Sequence, residues 1–136
     1  RPRLQVDVPG SLDPSGHFLM GASMGGIISA YMLCKQPEQF GGAACLSTHW
    51  PWQNGEMVQW MRRNMIPPGH HRWYFDWGTE TADAPYRPYQ EEVDEVLRQR
   101  GYRRGKDWET LSFPGHDHSE GSWRSRVHLP LRFLLF

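Results

Sequence analysis

The sequence predicts an α/β fold, a parallel sheet covered by helices, and three observations carry that prediction. Short apolar runs alternate with segments of helical periodicity four times along the chain. Glycine or proline punctuates the junctions between them. The 136 residues, 38% of them hydrophobic, fit one domain over 1–136 and leave no room for a second. Strand–helix alternation calls for parallel neighbours, because a parallel pair needs a long crossover and a helix supplies it.

The opening is polar and broken by Pro9-Gly10, Pro14 and Gly16. Residues 17–20 then form a short apolar strand that runs into Gly21-Ala22-Ser23-Met24-Gly25-Gly26, a sharp turn and helix start. Ile27, Ile28, Tyr31 and Cys34 follow at helical spacing as an expected inner stripe, stopped by Pro37. The small residues of 41–47 suit a strand buried on both faces. A second helix is expected from about Asn54, with Met57, Val58, Met61 and Met65 inward and Pro67-Pro68-Gly69 closing it. Residues 72–77 read as the third strand and 78–88 as a loop. Tyr89, Val93, Val96 and Leu97 mark an amphipathic helix ended by Gly101. Residues 108–113 make the fourth strand, 114–120 a loop, and 123–136 a closing helix interrupted or restarted at Pro130.

Composition narrows the partners. Fifteen basic and fifteen acidic residues give a net charge of zero, so nothing draws the chain to nucleic acid or anionic lipid. No apolar run approaches the roughly 18 residues of a membrane helix. Cys34 and Cys45 are too few for a disulfide framework and lack ligand partners at metal spacing, so both read as core thiols. His70-His71 and the His116/His118 pair have no acidic residue at ligand spacing, and no metal or cofactor is expected. Arg1 stands where a native start would have Met, which fits a product that begins further upstream.

Gly21-x-Ser23-x-Gly25 has the form of a nucleophile elbow, a serine on a tight strand-to-helix turn with glycines at both flanks where a Cβ would crowd the backbone. The turn exposes the hydroxyl and sets the Met24 amide at a helix N-terminus, where it can stabilise an oxyanion. A serine needs a base, and the base needs an acid to hold its tautomer. In such a topology both lie downstream, on loops beyond later strands. The loop after 72–77 offers Glu80 and Asp83, with Asp76 still in the strand, and the loop after 108–113 offers His116 and His118.

These residues resemble the esterase D-like branch of the α/β-hydrolases, with its enterochelin esterase, feruloyl esterase and mycolyltransferase relatives. The resemblance runs from about His17 to the end. It rests on Gly21-Ala22-Ser23-Met24-Gly25-Gly26, on Tyr74-Phe75-Asp76-Trp77-Gly78-Thr79-Glu80, and on Gly115-His116-Asp117-His118-Ser119-Glu120 with Trp123 five residues after His118. It implies a partial α/β-hydrolase fold, about the last four strand–helix units, and a serine carboxylic-ester hydrolase. The family's Asp-His-Ser stretch and its His-to-Trp spacing both select His118 as the base, leaving His116 as a loop residue that hydrogen-bonds or lines the entrance. The family's acid lies just beyond the Gly-Thr turn, which selects Asp83, with Glu80 and then Asp76 behind it.

The expected site is therefore Ser23, Asp83 and His118, with the Met24 N–H as one oxyanion donor and the second donor from outside the chain or from its first 16 residues. His49 and Trp50, just past the second strand, are expected to contact a small ester substrate. A catalytically silent module keeping the same fold, or an acyltransferase using the same residues, are the competing readings. Complete relatives carry further strands upstream of the nucleophile, so the edge strand at 18–21 is expected to be open to self-association.

Overall fold

The computed structural model describes residues 13–136. Four parallel strands, β1 (Phe18–Ala22), β2 (Gly42–Leu46), β3 (Arg72–Gly78) and β4 (Trp108–Phe113), lie side by side in chain order. Helices α1 (Met24–Lys35), α2 (Glu56–Asn64) and α3 (Tyr86–Gln99) make the three crossovers. Strands added in one direction by right-handed crossovers put all three helices on one face. The core shows it: Ile27, Leu33, Met61 and Leu97 from these helices meet Ala43, Cys45, Trp73 and Phe75. The alternate strand residues Ala44, Leu46 and Tyr74 point to the other face. There α4 (Glu120–Arg126) and α5 (His128–Leu135) fold back, with Leu134 packed against them. Every residue of β2 is buried, as a strand covered on both faces requires.

Two prolines are placed differently from the sequence reading, for one reason. Pro88 lies inside the first turn of α3, and Pro130 inside the first turn of α5, so the third crossover starts at Tyr86 and the closing helix breaks at Val127. The first amides of a helix have no intrahelical acceptor, so a proline there costs no hydrogen bond and helps the helix begin. The α1 stripe also differs. Ile27, Ala30 and Leu33 are buried, whereas Ile28 is 51% exposed and Tyr31 is exposed as well. Small residues such as Gly26 and Ala30 let this helix sit close to the sheet, and its hydrophobicity is spread almost evenly around it, so no stripe marks the inner face. β1 stands at one edge of the sheet among the described residues, with Met20 exposed. The breaks at Pro9-Gly10 fall outside the described residues.

The two faces of α1 can be separated by substitution. Leu33→Ala should cost about 2–5 kcal/mol of stability, while Ile28→Ala should stay within about 0.5 kcal/mol of wild type, as read by denaturant unfolding. Equal losses would mean that the helix is rotated from this placement.

Candidate active site

The candidate side chains gather at the carboxyl ends of the strands, where the chain leaves the sheet. Ser23 follows β1, Ser47 and His49 follow β2, Asp83 follows β3, and His116 and His118 follow β4. Ser23 has φ 60° and ψ −121°, a conformation L-residues rarely adopt. Its N–H still donates to Leu46 O at 2.9 Å, so the sheet ladder holds the strained residue. A Cβ on Gly21 would lie 2.3 Å from the Gly25 carbonyl oxygen, which makes glycine obligatory before the turn. At Gly25 the expectation of a clash is corrected: a Cβ there meets nothing within 4 Å. One crossing of backbones needs only one partner without a side chain. Gly26 is tight for a different reason, with the Thr48 side chain 2.5 Å from its Cβ position.

The histidine loop is fixed from two sides. Ahead of it, the His116 carbonyl accepts from Thr79 N–H and Glu80 N–H, each at 3.0 Å, and a Cβ on Gly78 would lie 2.2 Å from that oxygen. The His118 N–H donates to Thr81 Oγ1 at 2.9 Å. Behind it, Ser119 caps α4 by accepting from Ser122 N–H, while Asp117 Oδ1 accepts from the hydroxyls of Ser119 and Ser122. Those hydrogen bonds hold the Asp117 carboxyl below its ordinary range. Trp123 stands edge-on to the His118 ring at 5.1 Å between centroids. That gives physical sense to both sequence cues, the Asp-His-Ser stretch and the tryptophan five residues on.

Three side chains then form a row. His118 Nε2 lies 2.9 Å from Ser23 Oγ, and His118 Nδ1 lies 2.7 Å from Asp83 Oδ1. A carboxylate only accepts, so His118 carries its proton on Nδ1 and presents Nε2 as acceptor to the serine hydroxyl. Asp83 is wholly buried in a short 3₁₀ turn, Thr81–Asp83, and its Oδ2 accepts from Gly78 N–H at 2.6 Å and from Ser47 Oγ at 2.5 Å. The other carboxylates are engaged elsewhere. Glu80 is exposed and accepts from Thr79 Oγ1 at 2.9 Å. Asp76 is buried against Arg126, which donates to it through Nε at 3.1 Å and Nη2 at 3.0 Å. Burial raises the Asp76 carboxyl, and the Arg126 charge and hydrogen bonds oppose that rise. His116 Nδ1 faces Arg126 Nη1 at 3.1 Å, away from Ser23.

Of the two residues expected beside the substrate, the structure brings one to the row. His49 is half-buried, its ring centroid is 6.5 Å from that of His118, and its backbone N–H donates to Ser23 O at 3.3 Å. The Tyr86 hydroxyl lies 2.7 Å from His49 Nδ1 and 3.5 Å from His118 Nδ1. Burial first, and then the Asp83 charge, push the Tyr86 phenol up and keep it protonated. Trp50 is corrected to a core residue. It is 1% exposed, its Nε1 donates to Gln90 Oε1 at 2.9 Å, and its ring faces Phe75. The chain turns after His49, so the next side chain points into the helix-covered face. Cys34 and Cys45 both lie in or against that core, and burial pushes the Cys34 thiol up to about 11.

The sheet, the serine turn and the histidine loop together define an α/β-hydrolase type of domain. The chain belongs to the family described as "Putative esterase", whose model matches residues 5–132. No curated protein matches it. Among solved structures, the enterobactin esterase of Shigella flexneri has a similar fold, with a TM-score of 0.78 at 18% identity over 98% of this chain and 35% of the other. A ferulic acid esterase has a TM-score of 0.74 at 17% identity, covering 98% and 56%. A fluorophosphonate-binding serine hydrolase of Staphylococcus aureus has 0.74 at 13% identity, covering 99% and 60%. The chain thus spans between 35% and 60% of the length of these structures.

The two motif glycines should respond oppositely to alanine. Gly25→Ala should fold with at least wild-type stability, gaining up to about 1 kcal/mol of helix propensity, whereas Gly21→Ala should lower the unfolding temperature sharply or prevent folding. Thermal unfolding of the two variants checks the pair, and a destabilised Gly25→Ala would restore the symmetrical reading of the motif.

Proposed function

We propose that this chain carries the nucleophile, base and acid of a serine carboxylic-ester hydrolase. The observation that supports it most is the continuous row from Ser23 Oγ through His118 to Asp83, with the serine held on a strained turn. In this reading Ser23 Oγ attacks the acyl carbonyl while His118 Nε2 takes its proton. His118 then delivers that proton to the leaving alcohol as the acyl–oxygen bond of the ester breaks, leaving an acyl group on Ser23. Water, deprotonated by His118, releases the acid and restores the serine. The buried Asp83 carboxylate stabilises the imidazolium formed in each half-reaction.

The tetrahedral intermediate places negative charge beside the first turn of α1, where the Met24 N–H has no intrahelical acceptor. The chain spans 35–60% of the three solved structures above, and the second donor is assigned to the part of a full-length hydrolase that residues 1–136 do not include. Loss of one donor costs about 100- to 1,000-fold in rate. Residues 1–136 alone are therefore expected to turn over a small activated ester slowly, with recovery when the remainder of a full-length hydrolase is supplied. The exposed edge of β1 and the outward Met20, Met24 and Ile28 are where such a segment, or a second copy, would add. His49 is proposed to contact the substrate from the β2 side.

Turnover of p-nitrophenyl acetate checks the roles. Ser23→Ala and His118→Ala should each lose at least about 1,000-fold in kcat, and the double variant should be no worse than either, because residues acting as a unit fail together. Glu80→Gln should keep wild-type turnover. Undiminished activity in Ser23→Ala would remove it as the nucleophile.

The same assay separates His49 from the row. His49→Ala should raise KM more than it lowers kcat, since a group that contacts substrate throughout contributes uniform binding. A loss confined to kcat would place His49 in the proton-transfer machinery instead.

A further inference from the structure

The proposed chemistry leaves two wholly buried polar residues behind Asp83 without a task. Ser47, at φ 42°, follows β2, and Arg126 ends α4, 79 positions away in sequence. Arg126 is 1% exposed, lies over the Phe113 ring at 5.0 Å, and meets Asp76, Ser47 and His116 at once. A guanidinium donates and never accepts. That asymmetry sets the direction of every hydrogen bond around it.

Ser47 Oγ accepts from Arg126 Nη2 at 2.9 Å, so its own proton is free to be given away, and Asp83 Oδ2 receives it at 2.5 Å. With Gly78 N–H also on Oδ2 at 2.6 Å, that oxygen has two donors, and Oδ1 is left to His118 Nδ1. By the same rule His116 Nδ1 accepts from Arg126 Nη1, which puts the His116 proton on Nε2. The Arg126 charge is met by Asp76, which takes two of its N–H groups, so what reaches Asp83 is mainly a hydrogen-bond direction. We infer that Arg126 is a positioning residue that acts through Ser47 to fix the orientation of the Asp83 carboxylate, so that one oxygen faces His118, and so holds the imidazole toward Ser23.

The inference rests on the esterase reading for its consequence in rate, but its geometry is measurable without turnover. Ser47→Ala keeps the Arg126–Asp76 pair and cuts the relay. Arg126→Met combined with Asp76→Asn removes the pair together and leaves no buried charge unpaired. In both, kcat should fall about 10- to 100-fold with KM unchanged, the range seen when a hydrogen-bond partner behind a metal-bound histidine is removed, and less than the loss expected from removing Asp83 itself. Adding Ser47→Ala to the pair variant should cost nothing more. In protein labelled with ¹⁵N-histidine, the His118 Nδ1–H should be protected from exchange in wild type and exchange at least tenfold faster in Ser47→Ala. The wild-type His116 should show a protonated Nε2 and an unprotonated Nδ1.

Wild-type kcat together with unchanged His118 exchange in Ser47→Ala would overturn the relay. So would a protonated His116 Nδ1 in the wild type, which decides the matter even where the pair variant fails to fold. If Ser23→Ala turns over ester like wild type, the esterase reading falls, while the exchange comparison still judges the relay.

Discussion

The buried Asp83 carboxylate is the point at which the carboxyl ends of three strands are tied together. Its Oδ2 takes Gly78 N–H, where β3 ends, and the hydroxyl of Ser47, just past β2, and its Oδ1 takes the imidazole from the loop after β4. A buried carboxylate with fewer donors would be costly, since an unpaired buried charge is penalised by several kcal/mol. The folded arrangement satisfies it from three directions at once. Satisfying Asp83 is what brings His118 within reach of a serine on a fourth loop.

The fold makes that convergence possible through order and hand. Strands laid down in sequence, with right-handed crossovers, put every strand's carboxyl end on one edge and every crossover helix on one face. Loops from all four strands then meet along one line. Close backbone approaches do the fine placement: Gly21 against Gly25 sets the serine turn, and Gly78 against the His116 carbonyl seats the histidine loop. Neither approach tolerates a side chain, so two glycines carry as much of the site's geometry as the polar residues do.

Much of this was legible in the sequence. Apolar runs and glycine–proline punctuation located the four strands, and the elbow spacing together with the family resemblance singled out Ser23, Asp83 and His118, whose side chains the structure brings within hydrogen-bonding distance. What misled were features whose meaning depends on tertiary context. The stripe of Ile27, Ile28, Tyr31 and Cys34 follows hydrophobicity, but α1 is apolar on both faces, so only the packing shows that Ile28 and Tyr31 point outward. Trp50 neighbours His49 in sequence and points the other way in space. Pro88 looks like a break until its place in a first turn is known, whereas Pro130 marks a real interruption that falls three residues earlier, at Val127. Ser47 and Arg126 were not found at all. The one available signal was Asp76, a carboxylate inside a buried strand that must have a cation, yet nothing in one sequence says which arginine supplies it.

The central claim is that the fold singles out one serine as a nucleophile, and covalent labelling tests it most directly. A fluorophosphonate probe needs an activated hydroxyl but no matching substrate, so it reads the serine–histidine pair apart from specificity. Incubating residues 1–136 with the probe and mapping the adduct by peptide mass spectrometry should place a single modification on Ser23, absent after denaturation. No adduct, or an adduct on another serine, would contradict the account.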